Sequence, residues 1–260
     1  MSVADQVKAR IRMVNLIVDD KKIKVEEGKT VLQACLENGI FIPNLCFIKT
    51  RKHPHASCRL CFVEIDGLDR PVTSCTEEVR EGLLVKTDTP AVRRLQRMGF
   101  KLLMSAHHRD PKECPVKGSC QLIRIAKHLK VGLKSRPLEV LERDVDEEVD
   151  LIFFTYYPFR CVLCGKCVSI CRQRNGHNLL TFTNRGFDTM IAFFGSGDPA
   201  DLSCHHCLAC ANVCPTGALV LKPEYSKAAG AEDSSNVPEK GELFSIVQIE
   251  ESAGATVCDK

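Results

Sequence analysis

Residues 161–171, CVLCGKCVSIC, and residues 204–214, CHHCLACANVC, repeat one spacing, C-x2-C-x2-C-x3-C, within a single chain of 260 residues. Three cysteines this close wrap three corners of a cubane cluster from one tight loop. The fourth opens a helix pointing away, so it reaches the neighbouring cluster instead. On that reading Cys161, Cys164, Cys167 and Cys214 hold one [4Fe–4S] cluster, and Cys204, Cys207, Cys210 and Cys171 hold a second. Structural zinc also uses C-x2-C pairs, but it needs only two pairs, whereas each run offers three evenly spaced thiols and a fourth. One departure from the usual run is visible: Pro215 follows Cys214, but Arg172 follows Cys171. Losing Pro alters the local turn without removing a ligand.

Composition sets the context. Sixteen cysteines in a secreted chain would suggest a disulfide framework. The opening MSVADQVKARIRMVNLIVDD has neither the apolar core nor the small-residue cleavage site of a leader, so a cytoplasmic location is expected. In that compartment many cysteines point to metal. No apolar run approaches eighteen residues, so no direct membrane insertion is expected. The formal charge of +3, with scattered basic residues, gives no reason to expect a nucleic-acid partner.

Outward from the repeat, residues 151–222 form the unit containing both runs, and residues 223–260 read as a tail for partner docking, in which LFSIVQIE has strand character. Residues 90–150 read as a mostly helical segment. PAVRRLQRMGFKLLMSA has Pro90 in its first turn, QLIRIAKHL follows Cys120, and the acidic LERDVDEEVD reads as a solvated connector. Residues 12–89 are β-rich. MVNLIV and KKIKVE flank an Asp-Asp turn, Thr30 caps TVLQACLEN, Gly39 ends that helix, and CRLCFVEIDG and LLVKTD supply further strands. This order suits a β-grasp fold and makes the whole chain α+β.

The first unit holds its own cysteine set: Cys46, Cys58, Cys61 and Cys75. A planar [2Fe–2S] cluster needs two thiolates on each iron, which a long loop and a distant strand can deliver. Cys35, inside a helix, reads as a small buried apolar residue, and Cys258 as a free surface thiol.

The stretches VLQACLENGIFIPNLC, CRLCFVEIDG and PVTSC, followed by the two-cluster run, resemble the small diaphorase-type iron–sulfur subunit of NAD-reducing hydrogenases. They are also similar to the N-terminal part of the large iron–sulfur subunit of complex I and of some [FeFe]-hydrogenases and formate dehydrogenases. The resemblance implies an N-terminal β-grasp [2Fe–2S] ferredoxin-like domain and a C-terminal two-[4Fe–4S] ferredoxin-like domain. That family usually carries H-x3-C-x2-C-x5-C between them for a further [4Fe–4S] cluster. Here His107, Cys114 and Cys120 match three of the four positions, and Pro111 stands at the other. Three readings stay open: the segment is kept for packing alone, a cluster binds with Asp110, His108 or water at the open corner, or a shifted loop supplies another ligand.

Iron–sulfur clusters pass single electrons. No G-x-G-x-x-G after a strand and no G-x-x-x-x-G-K-[ST] is present, and FFGSGDPAD matches neither, so no flavin or nucleotide is expected in this chain. The resemblance therefore implies a non-catalytic relay in an NAD(P)H-linked, anaerobic oxidoreductase complex. Its partners would be a flavin- and NAD(P)H-binding subunit, a terminal catalyst such as a hydrogenase or formate dehydrogenase, and a ferredoxin. Two alternatives compete: the iron–sulfur subunit of a succinate or fumarate oxidoreductase, whose [2Fe–2S] spacing fits poorly, and a zinc or redox-sensing interaction module.

Overall fold

A computed structural model of the chain describes residues 12–107, 114, 116, 118–133, 143–150, 153–176, 178–193 and 207–226. The expectations for Cys204, Cys258, His108, Asp110, Pro111, LFSIVQIE and most of FFGSGDPAD lie outside the described residues.

Alternation builds the first sheet. Strand β1 (Met13–Val18) buries Val14, Leu16 and Val18, and β2 (Lys21–Glu26) buries Ile23 and Val25. They pair antiparallel with Val18 opposite Lys21. Between them Asp19 and Asp20 both take positive φ, 46° and 68°, as the tight primed hairpin turn requires. Helix α1 (Val31–Glu37) starts where the Gln33 N–H donates to Thr30 Oγ1 at 3.2 Å, and Gly39 at φ +72° follows its end. Its Val31, Leu32, Ala34, Cys35 and Leu36 join the sheet core.

Strands β3 (Phe62–Ile65), β4 (Val72–Thr73) and β5 (Leu83–Lys86) complete a sheet of order β2-β1-β5-β3-β4, with β1 and β5 parallel. That is the expected β-grasp arrangement, helix against sheet. Each fully buried Val or Leu in such a core contributes about 1.5–3 kcal/mol, so alternation alone gives the sheet a definite inner face.

Helix α2 (Pro90–Ser105) is capped by Thr89, whose Oγ1 accepts the Val92 N–H at 3.2 Å. Helix α3 (Gln121–Leu129) covers QLIRIAKHL from end to end and stops at Lys130 in the left-handed region, φ 53°. Phe100 and Met104 of α2 and Leu122, Ile125 and Leu129 of α3 share one core with Leu45, Cys46, Cys58, Leu60 and Cys164. The middle segment thus packs between residues of both cysteine-bearing parts.

The last part contains β6 (Val149–Asp150), β7 (Phe154–Tyr156), α4 (Lys166–Asn175), β8 (Leu180–Thr183), β9 (Met190–Phe193), α5 (Ala209–Asn212), β10 (Leu219–Leu221) and α6 (Pro223–Ser226). β10, β7 and β6 form one small antiparallel sheet, and β8 and β9 a hairpin. The acidic connector departs from expectation at Arg143. That side chain is buried, its guanidinium donating to the carbonyls of Phe187 (2.6 Å), Pro158 (3.0 Å) and Thr189 (2.5 Å). A cation with three carbonyl acceptors tolerates burial, so this point of the connector is an anchor. No helix among the described residues is long and apolar enough to cross a membrane.

Candidate functional site

Cys46, Cys58, Cys61 and Cys75 are all nearly fully buried. Cys46 follows α1, Cys75 follows β4, and Cys58 and Cys61 flank a tight loop in which Arg59 takes φ +51°. The thiols stand as two hydrogen-bonded pairs, Cys46 with Cys58 and Cys61 with Cys75. Within each pair one thiol is held low and the other pushed up. The hydrogen bond with Cys58 draws Cys46 down to about 5. The hydrogen bond with Cys61 draws Cys75 down likewise. Two pairs suit a group with two irons and two thiolates per iron.

Several residues that hold this loop have no motif to announce them. Ser74 donates from both its N–H (2.9 Å) and its Oγ (2.8 Å) to the Cys61 carbonyl. Gln96, buried on α2, donates to the Phe62 carbonyl at 3.0 Å. Gly99 brings the backbone of α2 against the Arg59 carbonyl. The only sequence signal for Gly99 is a glycine in mid-helix, which costs about 1 kcal/mol relative to Ala and so asks for a packing reason.

Cys161, Cys164, Cys167 and Cys214 line one small cavity, together with Tyr156, Gly165, Ile191 and Thr216 among others. Leu163 at φ +51° and Gly165 at φ +73° wrap the loop around it. Burial pushes the Cys161 thiol up to about 11 and Cys164 to about 12, and raises Cys167 as well. Backbone N–H groups of Leu163 and Lys166 work the other way on Cys161 and Cys164, and the Ala218 N–H donates to Cys214 Sγ at 3.3 Å. Thiols buried this deeply release protons when a metal takes them as thiolates, and these N–H donors stabilise the resulting charge. Tyr156, fully buried, accepts the Ile191 N–H on its hydroxyl at 3.0 Å and forms part of the wall.

Of the second set, Cys171 on α4 and Cys210 on α5 are buried in the core that also receives Cys161, Cys167 and Cys214, and Cys207 is half-buried. Among the described residues no three Cys, His, Asp or Glu side chains converge as around a single ion. The thiols are instead distributed in pairs and around a cavity, as ligands of multi-iron groups are.

The third set is brought only partly together. Cys120 is buried at the start of α3, its thiol pushed up by burial, with smaller contributions from Cys114 and Cys214. The Gln121 N–H donates to the Pro215 carbonyl at 2.9 Å, and Val116 fills the space over Gly217, where a Cβ would meet it at 2.1 Å. The segment packs on the loop that carries Cys214. His107 lies at the end of α2.

Contact also joins the first two sites. The His55 imidazole lies over Gly165, where a Cβ would stand 3.2 Å from Nε2. Burial and the neighbouring Arg51 lower the pKa of His55, while Cys46 opposes them.

Comparison with known proteins agrees with this geometry. Residues 11–90 match the 2Fe-2S iron-sulfur cluster binding domain, and residues 160–218 match the 4Fe-4S dicluster domain. The chain is 35% identical over 211 residues to NADPH-Fe(3+) oxidoreductase subunit alpha of Geobacter sulfurreducens, covering 81% of this chain and 24% of that protein. It is 31% identical over 212 residues to NADP-reducing hydrogenase subunit HndD of Solidesulfovibrio fructosivorans, covering 80% and 36%. The NADH-ubiquinone oxidoreductase 75 kDa subunit of Reclinomonas americana is 30% identical over 219 residues, covering 81% and 30%. The chain thus spans about a quarter to a third of the length of these relatives. A chain in the crystal structure of NAD+-reducing [NiFe]-hydrogenase in the H2-reduced state superposes with a TM-score of 0.69 at 28% identity, covering 81% of this chain and 88% of that one. The resemblance read from the cysteine motifs holds. This is an iron–sulfur protein with one [2Fe–2S] domain and one two-[4Fe–4S] domain.

Proposed function

We propose that this chain is the electron-relay subunit of a cytoplasmic NAD(P)H-linked oxidoreductase complex, set between a flavin- and NAD(P)-binding subunit and a terminal catalyst. In this reading Cys46, Cys58, Cys61 and Cys75 hold the [2Fe–2S] group. Cys161, Cys164, Cys167 and Cys214 hold one [4Fe–4S] group, and Cys204, Cys207, Cys210 and Cys171 the other. When bound, such groups accept and release single electrons without substrate chemistry. The chain's own residues bury the thiols, aim backbone N–H groups at them and keep the sites in contact.

The observation that carries the reading is the cavity shared by Cys214 and the three thiols of the earlier run, in one core with Cys46 and Cys58 through Cys164. A relay needs adjacent sites, and a substrate enzyme needs a separate pocket. The relatives named for NAD(P)H-linked reactions support the partner classes.

The test is anaerobic purification, a count of iron and labile sulfide, and EPR during stepwise reduction. About ten irons per chain, as two plus four plus four, are expected. About fourteen, with a further signal sensitive to His107→Ala, would mean that His107, Cys114 and Cys120 hold another cluster. A colourless zinc-bound chain would sink the relay reading.

A further inference from the structure

The two copies of the cysteine run diverge where Arg172 replaces the counterpart of Pro215, and the divergence has a structural result. Helix α5 ends at Asn212, before Cys214 and Pro215, whereas α4 continues through Cys171 and Arg172 to Asn175. Proline inside a helix loses the N–H bond and clashes with the preceding turn. Arginine lets α4 run on, and Gly176 at φ +70° closes it by donating to the Arg172 carbonyl at 3.0 Å.

The extension meets the other cysteine-bearing part. Gln173 Nε2 donates to Thr50 Oγ1 at 3.0 Å, so exposed Arg172 and Arg174 adjoin the exposed loop that carries Lys49, Arg51 and Lys52. Residues 38–63 and 151–187 contain no Asp or Glu at all. The Gln173–Thr50 bond sets Arg172 and Arg174, on either side of Gln173, next to the loop of Lys49, Arg51 and Lys52, so two separate basic stretches of sequence adjoin as one basic ridge region. Lys49 pairs with Glu37 at 3.1 Å, but Arg51, Lys52, Arg172 and Arg174 enter no ion pair among the described residues. Cations near a helix C-terminus gain from its dipole, which accounts for Arg172 and Arg174; Arg51 Nε donates to the His53 carbonyl at 2.8 Å, and Lys52 is left unexplained.

We propose that this ridge of Lys49, Arg51, Lys52, Arg172 and Arg174 is the docking surface for a small acidic electron-carrier protein. The inference rests on the relay reading and adds the place where an exchangeable partner meets it. Lys49 stands three residues after Cys46, and Arg172 directly follows Cys171, so a partner seated here is close to two of the cysteine sites. Like-signed charge around an exchange point raises the encounter rate with an oppositely charged partner, and salt screens the effect. In the step itself the reduced carrier loses one electron and this chain gains it, with no bond made or broken.

The experiment uses the full iron-loaded chain and a reduced acidic two-[4Fe–4S] ferredoxin as probe, mixed by stopped flow without oxygen. The variant Arg51→Glu/Lys52→Glu/Arg172→Glu/Arg174→Glu is compared with the native chain and with Lys21→Glu/Lys22→Glu on the exposed β1–β2 hairpin. Reduced methyl viologen serves as a small reductant that needs no docking site. At low salt the ridge variant is expected to accept electrons from the ferredoxin at least tenfold more slowly. The native rate should fall as salt rises, while iron content and reducibility by viologen hold. An unchanged ferredoxin rate, or an equal loss in the Lys21→Glu/Lys22→Glu control, overturns the docking surface alone. A native chain that viologen cannot reduce overturns the relay reading and the docking surface together.

Discussion

Gly99 and Arg59 meet backbone to backbone: a Cβ on Gly99 would lie 2.4 Å from the Arg59 carbonyl oxygen and 3.2 Å from its carbon. The contact presses the middle of α2 against the loop between Cys58 and Cys61. Neither partner there is a flexible side-chain tip, so the only relief is movement of helix or loop. Gly99→Ala should therefore destabilise the protein by about 1–3 kcal/mol despite the better helix propensity of Ala. It should also broaden or diminish the [2Fe–2S] EPR signal selectively. A more stable Gly99→Ala chain with an unaltered signal would count against this role.

The crossed ligand assignment makes a pairing prediction. Cys161→Ser and Cys214→Ser should perturb one [4Fe–4S] signal, and Cys171→Ser and Cys207→Ser the other, each removing up to about four irons. Had each run held its own cluster, Cys214→Ser and Cys207→Ser would change the same signal. EPR of the four variants decides between the two patterns.

Tyr156→Phe keeps the buried ring and deletes the hydroxyl that receives the Ile191 N–H at 3.0 Å. The orphaned amide should cost about 1–3 kcal/mol. Because Tyr156 lines the cavity of Cys161, Cys164, Cys167 and Cys214, the same change should move the midpoint potential of that site and spare the [2Fe–2S] site. Equal shifts at both would argue for a general loosening instead.

A pH effect is expected at the ion pairs of Glu37, at the end of α1. Burial raises the carboxyl of Glu37, but hydrogen bonds from Lys29, Gln33 and Lys49 outweigh it and hold its pKa below the ordinary value. A depressed carboxylate stabilises above its unfolded pKa, and that stability is lost as pH falls through the folded one. These groups are partly exposed, so the contribution is about 0.5 kcal/mol. Thermal unfolding of native and Glu37→Gln chains should differ at pH 7 and converge only well below pH 4.5, as pH falls through the lowered folded pKa. A gap independent of pH would show that the ion pairs contribute nothing.

Local elements were readable because their causes are local. The Asp19–Asp20 turn, the Thr30 cap and the limits of α3 depend on neighbours within a few residues, and each lies where the sequence places it. Arg143 was not readable. Its burial depends on carbonyls contributed by Pro158, Phe187 and Thr189, which become neighbours only after folding. Gly99, Ser74 and His55 escaped for the same reason: each acts through a contact with a distant stretch of chain.

The sequence by itself determined the kind of protein this is, because thiol spacing directly limits which iron–sulfur groups a short loop can enclose. It determined the β-grasp and two-cluster domains as well, since alternation, caps and cysteine runs are short-range signals. Only the tertiary structure decided how those parts meet: α2 clamped on the Cys58–Cys61 loop, His55 laid over Gly165, and Gln173 of α4 carried to Thr50. Such contacts depend on shape and on charge summed over remote segments, quantities that no single stretch of sequence contains.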